Sequence, residues 1–220
     1  MDKNIHYISS KKLQSLSPLL YVVVDGANLM PHTSMPRMLL KTDKIELNYL
    51  KLKPKQINIE ELFHTLFYLQ GTALNLAGLQ RVFIRTVDLK LIRVDPRLSI
   101  PFVFNDFQQM MHIFSTDKLV KGSKENSIMM NFVKSDIGKM IPPGIPRYSL
   151  FINEDEEKIS PITDIVTDDK PIVIYVHLNP QKQSADEIME KTLCISNDNL
   201  NTGNVINRVV KEIEIKNNIW

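Results

Sequence analysis

Two stretches of this chain set groups with acid–base character at the mouth of an apolar run. In "LLYVVVDGANL", residues 19–29, Asp25 closes a run of apolar residues. A carboxylate at the end of a buried strand lies where open α/β sheets hold their ligands, and it can serve as a proton acceptor there. An aspartate that only shapes a strand-ending turn is the competing reading. In "KPIVIYVHLNPQKQS", residues 170–184, a second run empties into a polar loop carrying His177, Pro180, Gln181 and Lys182. Loops that wrap a cofactor use glycine to let backbone N–H groups come close, and this loop has none.

Other chemistry is thinly supported. His6, His32, His64, His112 and His177 stand apart, with no HxxxH or HxH pair, and Cys194 is the one cysteine. No zinc pattern is possible with that set, and no metal is expected. GxGxxG, the Walker loop and GxSxG are all missing from the sequence.

The elements that must carry these residues read as follows. The 220 residues, 43% apolar and 24% charged, suit one sizeable soluble domain. No apolar run nears the ~18 residues of a membrane span. The first 20 residues lack the apolar core of a secretory signal, although an organellar presequence stays open. A lone cysteine permits no internal disulfide and suits a reducing compartment. The net charge of +2 conceals an asymmetry: residues 150–220 hold 7 Lys/Arg against 13 Asp/Glu, and residues 1–149 hold 20 against 12. The basic part suits a nucleic-acid footprint or an ordinary solvated surface.

Residues 18–29 and 171–177 read as strands apolar on successive positions, covered on both faces as in a parallel sheet. Residues 30–56 read as irregular. Residues 58–70 place Leu62, Leu66 and Leu69 at helical spacing, with Asn58 as a cap. A hairpin follows, with strands 79–87 and 90–94 around Asp88. "NDFQQMMHIFSTDKLV" and "ENSIMMNFVKS" read as two helices with Met110, Met111, Met129 and Met130 as core filler. A strand in "YSLFI", another in "EKTLCIS" and a closing helix from about Asn201 to Lys216 complete an α/β domain over residues 18–220. Residues 1–17 form an extension.

Residues 73–111, "ALNLAGLQRVFIRTVDLKLIRVDPRLSIPFVFNDFQQMM", resemble a block of the nucleolar essential protein family. Residues 171–197 and the strand-acid-Gly-Ala of residues 19–27 agree in the same order. The family comprises SPOUT-class methyltransferases that methylate N1 of a pseudouridine in small-subunit rRNA. The resemblance implies a SPOUT-like sheet with a hairpin and helical excursion and a C-terminal trefoil knot, a rare exception among unknotted folds. It further implies S-adenosylmethionine as cofactor, a homodimer, partners among rRNA and pre-ribosomal proteins, and a nucleolar location in the nucleus.

By that resemblance the cofactor loops map to His177 and Lys182, where the family has glycines, and to Ile195, Ser196, Asn197 and Leu200. The two arginines of the family's Arg-Ile-Pro-Arg are Ser99 and Phe102 here, and a further arginine is Asp106. The family's Arg-Pro-Asp before the first long helix is missing. Asn58, Glu60 and Glu61 are the nearest candidates for its carboxylate; Asn58 cannot take a proton, whereas Glu60 can, provided its helical register aims it into the site. Replacement RNA contacts are Lys53, Lys55, Arg81, Arg85 and Arg97, with Arg81 and Arg85 on one strand face. Two readings follow: a ribosome-assembly dimer with weakened or lost catalysis, or an active methyltransferase with divergent loops.

Overall fold

In a computed structural model the chain is described over residues 17–122, 127–151, 162, 165–166, 170–178, 189, 191–194 and 201–219. Among these residues eight strands form one sheet, ordered β4-β5-β3-β2-β1-β7-β6-β8. They are β1 (Leu20–Ala27), β2 (Gln80–Thr86), β3 (Leu91–Val94), β4 (Leu119–Lys121), β5 (Ile128–Val133), β6 (Arg147–Phe151), β7 (Ile172–His177) and β8 (Lys191–Cys194). The stretch β2-β1-β7-β6-β8 is parallel. The β3, β5 and β4 strands extend it antiparallel.

The central strands are buried on both faces, which explains their unbroken apolar runs. Leu20, Val22 and Val24 of β1 join Ile172, Ile174 and Val176 of β7 in the larger core. Helices α2 (Ile59–Gln70), α4 (Phe104–Asp117) and α6 (Thr202–Lys216) contribute Leu62, Leu66, Phe107, Val209 and Val210 to that core. Tyr21, Val23, Phe83, Val173 and Tyr175 point the other way into a smaller cluster. Ile137 and Ile141 pack there, from and just after the short helix α5 (Ile137–Met140).

At Gly203, α6 packs tightly on α2. A Cβ on it would stand 2.5 Å from Tyr68 Cδ2 and 3.0 Å from the His64 carbonyl oxygen. Glu214 of α6 is buried and accepts the Leu74 N–H, at 3.0 Å, at the start of the short helix α3 (Ala73–Leu76).

Four local expectations need correction. The helix expected over "NDFQQMMHIFSTDKLV" ends at Asp117, and Leu119 and Val120 belong to the strand β4. "ENSIMMNFVKS" yields the strand β5, not a helix: its β-branched and aromatic side chains suit a pleat, and the backbone pairs with both β3 and β4. Met130 is buried from that strand, so its core role survives the change of element. The stretch 30–56 contains the helix α1 (Lys44–Tyr49) and a 3-10 turn at Pro54–Gln56. Asp43 anchors the start of α1, accepting the Leu40 N–H at 2.8 Å and a bidentate pair from Arg37, both at 2.7 Å. The Asn58 side chain makes no cap bond to α2.

Candidate functional site

The Asn58 side chain joins α2 to the end of β1. It accepts the Asn28 N–H at 2.9 Å, and its amide donates to the Gly26 carbonyl at 2.8 Å. The first turn of α2, with Glu60 half-exposed in it, is therefore fixed at the carboxyl end of the central strand. Glu61 is ion-paired with Lys41.

At that same end a chain of polar groups crosses four adjacent strands. Arg85 of β2 donates from Nε to Asp25 Oδ1 of β1 at 2.7 Å. Asp25 Oδ2 lies 3.1 Å from His177 Nδ1 of β7, and His177 Nε2 lies 2.7 Å from Ser149 Oγ of β6. Strand register brings them together: Asp25 is the direct partner of Arg85 on one side and of His177 on the other. All four residues are buried. The Arg85 guanidinium also stacks over the Tyr175 ring, 5.5 Å from its centroid.

The protonation pattern follows from the geometry. Burial alone would raise the Asp25 carboxyl, but hydrogen bonds from His177 and Arg85 outweigh it and hold the pKa below its ordinary value. An ionised carboxylate only accepts, so His177 Nδ1 carries a proton and donates to it. In the neutral ring Nε2 then accepts the Ser149 hydroxyl. The order Ser–His–Asp is that of an acyl-transfer relay. Ser149, however, is only 4% exposed, which keeps an acyl substrate from its Oγ. The chain ties four adjacent strands together, and the Leu178 N–H, donated to the Asp25 carbonyl at 2.9 Å, pins the backbone leaving β7 to β1.

The other sequence-derived residues divide three ways. Lys182, Ile195, Ser196, Asn197 and Leu200 lie outside the described residues, as does the passage where knot threading was expected. Lys53 and Lys55 are exposed at the 3-10 turn. Arg81 and Arg85 do share a strand face, but that face is the inside of the smaller cluster. Arg85 is committed to Asp25, which corrects its assignment to an RNA surface, and half-buried Arg81 donates to the Gly78 and Gln80 carbonyls, both at 2.8 Å. Arg97 is half-buried and bonds Asp95 at 2.9 Å. Phe102, standing where the family resemblance puts an arginine, is 86% exposed.

Sequence reasoning missed Ser149 and the link between Asp25 and His177. Each of those two residues ends an apolar run, which is the one signal that could have paired them. No group of three or more metal-binding side chains occurs among the described residues. No helix among them is long and apolar enough to cross a membrane.

The mixed sheet, with its helices and strand-pair excursion, is a SPOUT-like α/β fold. It superposes on the crystal structure of Archaeoglobus fulgidus Nep1 bound to S-adenosylhomocysteine with a TM-score of 0.68, at 10% identity, over 91% of this chain and 98% of that one. The EMG1/NEP1 methyltransferase model matches residues 22–214, and the chain belongs to that family. Among curated relatives, the mouse ribosomal RNA small subunit methyltransferase NEP1 is 26% identical over 181 residues, 81% of this chain and 73% of the relative. The Caenorhabditis elegans ribosomal RNA small subunit methyltransferase nep-1 is 26% identical over 162 residues, 72% of this chain and 70% of the relative.

Proposed function

We propose that this chain is a small-subunit ribosome biogenesis factor that binds rRNA as a dimer, with S-adenosylmethionine binding and methyl transfer weakened or lost. One observation carries the reading. His177 stands where the family resemblance puts a cofactor-loop glycine, and its imidazole is fixed on both nitrogens, by Asp25 and Ser149. A residue with a Cβ restricts the close backbone approach that glycine would allow a cofactor there. The replacement of that glycine speaks against tight S-adenosylmethionine binding at the end of β7.

Binding to RNA rests on the names of the relatives, on the basic character of residues 1–149, and on exposed Lys53 and Lys55 beside the end of β1. Each lysine that reaches a phosphate releases about one counterion. The family's place in rRNA methylation agrees with a nucleolar site of action and with pre-ribosomal partners. The alternative, an active pseudouridine-N1 methyltransferase, has Glu60 at the mouth of the sheet in its favour.

Incubation with a pseudouridine-containing small-subunit rRNA hairpin and methyl-labelled S-adenosylmethionine separates the two. The expected result is retention of the RNA without incorporated label. Multiple turnover would reinstate the enzyme.

A further inference from the structure

Helix α4 carries two stripes at helical spacing. Phe107, Met111 and Phe114 are fully buried in the core. Asp106, Gln109, Met110, Ile113 and Asp117 form the second stripe: half-buried Met110 packs against the edge of the core, while Ile113 is 54% exposed. After the helix, Lys118 at φ 62° turns the chain back, so that β4 runs beside that second stripe. Between helix and strand lies an open groove of about 660 Å³, floored by Met110, Ile113, Leu119 and Val120. Strand β4 is the outermost strand on this side of the described sheet, so one row of its amides and carbonyls faces outward.

We propose that this groove docks an extended basic segment of a partner protein, laid along β4 as an added strand. Charge complementarity selects that occupant. Asp106 and Asp117 stand at the two ends of the groove, and Lys121 is the single base in its lining. This acidic site lies within the basic part of the chain, so it repels the phosphates that the surrounding lysines attract. Asp117 sits in the last turn of α4, where the helix dipole disfavours an acid; helix stability does not explain it.

The spacing specifies the partner further. Eleven residues of helix separate the two carboxylates, about 16 Å at a rise of 1.5 Å per residue. An extended chain rises about 3.3 Å per residue with alternate side chains on one face. Lysines at positions i and i+4, with an apolar residue at i+2, therefore face α4 together. The lysine side chains cover the remaining reach to Asp106 and Asp117, and the apolar residue rests on Met110 and Ile113. Main-chain bonds to β4 supply affinity, and the pattern Lys-x-Val-x-Lys supplies specificity.

Fluorescence anisotropy of the full chain with labelled Gly-Lys-Thr-Val-Thr-Lys-Gly tests this. Saturable binding is expected, weakened about tenfold by Asp106→Asn with Asp117→Asn, in line with the loss of two exposed ion pairs. Replacing both peptide lysines by glutamate should weaken binding to the same degree. An unlabelled single-stranded RNA should leave the peptide bound. No saturation, equal affinity for the double variant, or displacement by the RNA would overturn the proposal. So would sedimentation showing that a second copy of this chain covers Ile113 and excludes the peptide.

Discussion

His177 and Asp25, 152 residues apart in sequence, meet through Nδ1 and Oδ2 at 3.1 Å inside the sheet. That contact joins the end of the first strand to the end of the seventh, with Ser149 and Arg85 continuing the chain on either side. Asp25, Arg85 and His177 lie toward the carboxyl ends of parallel strands, where this class of sheet holds its ligands. Here they bind one another.

The Asp25–Arg85 pair is nearly closed to solvent. Removing one partner strands a buried charge, which costs about 3–5 kcal/mol. Arg85→Ala is expected to lose stability in that range by urea denaturation, and Arg85→Met to lose less if Asp25 is changed to Asn in the same chain. A loss below about 1 kcal/mol for Arg85→Ala, the size of an exposed pair, would show that the pair contributes little.

Stability should fall in acid through the same pair. Because the folded-state pKa of Asp25 is depressed, its contribution is fully present above the unfolded value of about 3.9 and is lost as pH falls through the lower folded value. The native chain should exceed Asp25→Asn in stability near neutrality, and the gap should narrow once pH drops below about 4. A gap that stays constant to pH ~2.5, below the unfolded value, would assign the stabilisation to something other than this carboxylate.

Most of the sheet could be read from the sequence because its strands are apolar on successive positions. The hairpin of β2 and β3, the helices α2 and α6, and the strand β7 all fall within a residue or two of expectation, while α4 ends three residues early where β4 begins. The strand β5 could not be read this way, because two adjacent methionines suit a helix as well as a strand and pairing with β3 decides the matter. The site was legible only in part. Asp25 and His177 each mark the end of an apolar run, but their contact spans almost the whole chain and depends on which strands become neighbours. Arg85 shows the limit most clearly: alternation set its face correctly, yet only the sheet order reveals that this face is interior.

The crossing of α6 over α2 depends on a missing side chain. With Tyr68 and the His64 carbonyl against any added Cβ, Gly203→Ala should destabilise by about 1–3 kcal/mol through overpacking. That holds despite alanine's intrinsic helical advantage of about 1 kcal/mol. Thermal and urea unfolding would both detect it, and a stabilised variant would mean that Tyr68 moves aside at little cost.

Freeing the end of β7 should have two opposite effects. His177→Gly removes the bonds to Asp25 and Ser149 and leaves a cavity, at a cost of about 2–4 kcal/mol. Combined with Lys182→Gly, it restores glycine at both positions where the family resemblance puts one. The double variant is expected to gain measurable affinity for S-adenosylmethionine while losing stability, read by calorimetry and urea denaturation on the same sample. Stability loss with no gain in affinity would mean that the defect extends beyond these two positions.

Calorimetric titration of the unaltered chain with S-adenosylmethionine tests the central claim most directly. With His177 locked between Asp25 and Ser149, no saturable heat is expected below a dissociation constant of about 1 mM, a binding free energy near −4 kcal/mol. A dissociation constant in the micromolar range, about −8 kcal/mol, would contradict the claim and make this chain a cofactor-binding methyltransferase.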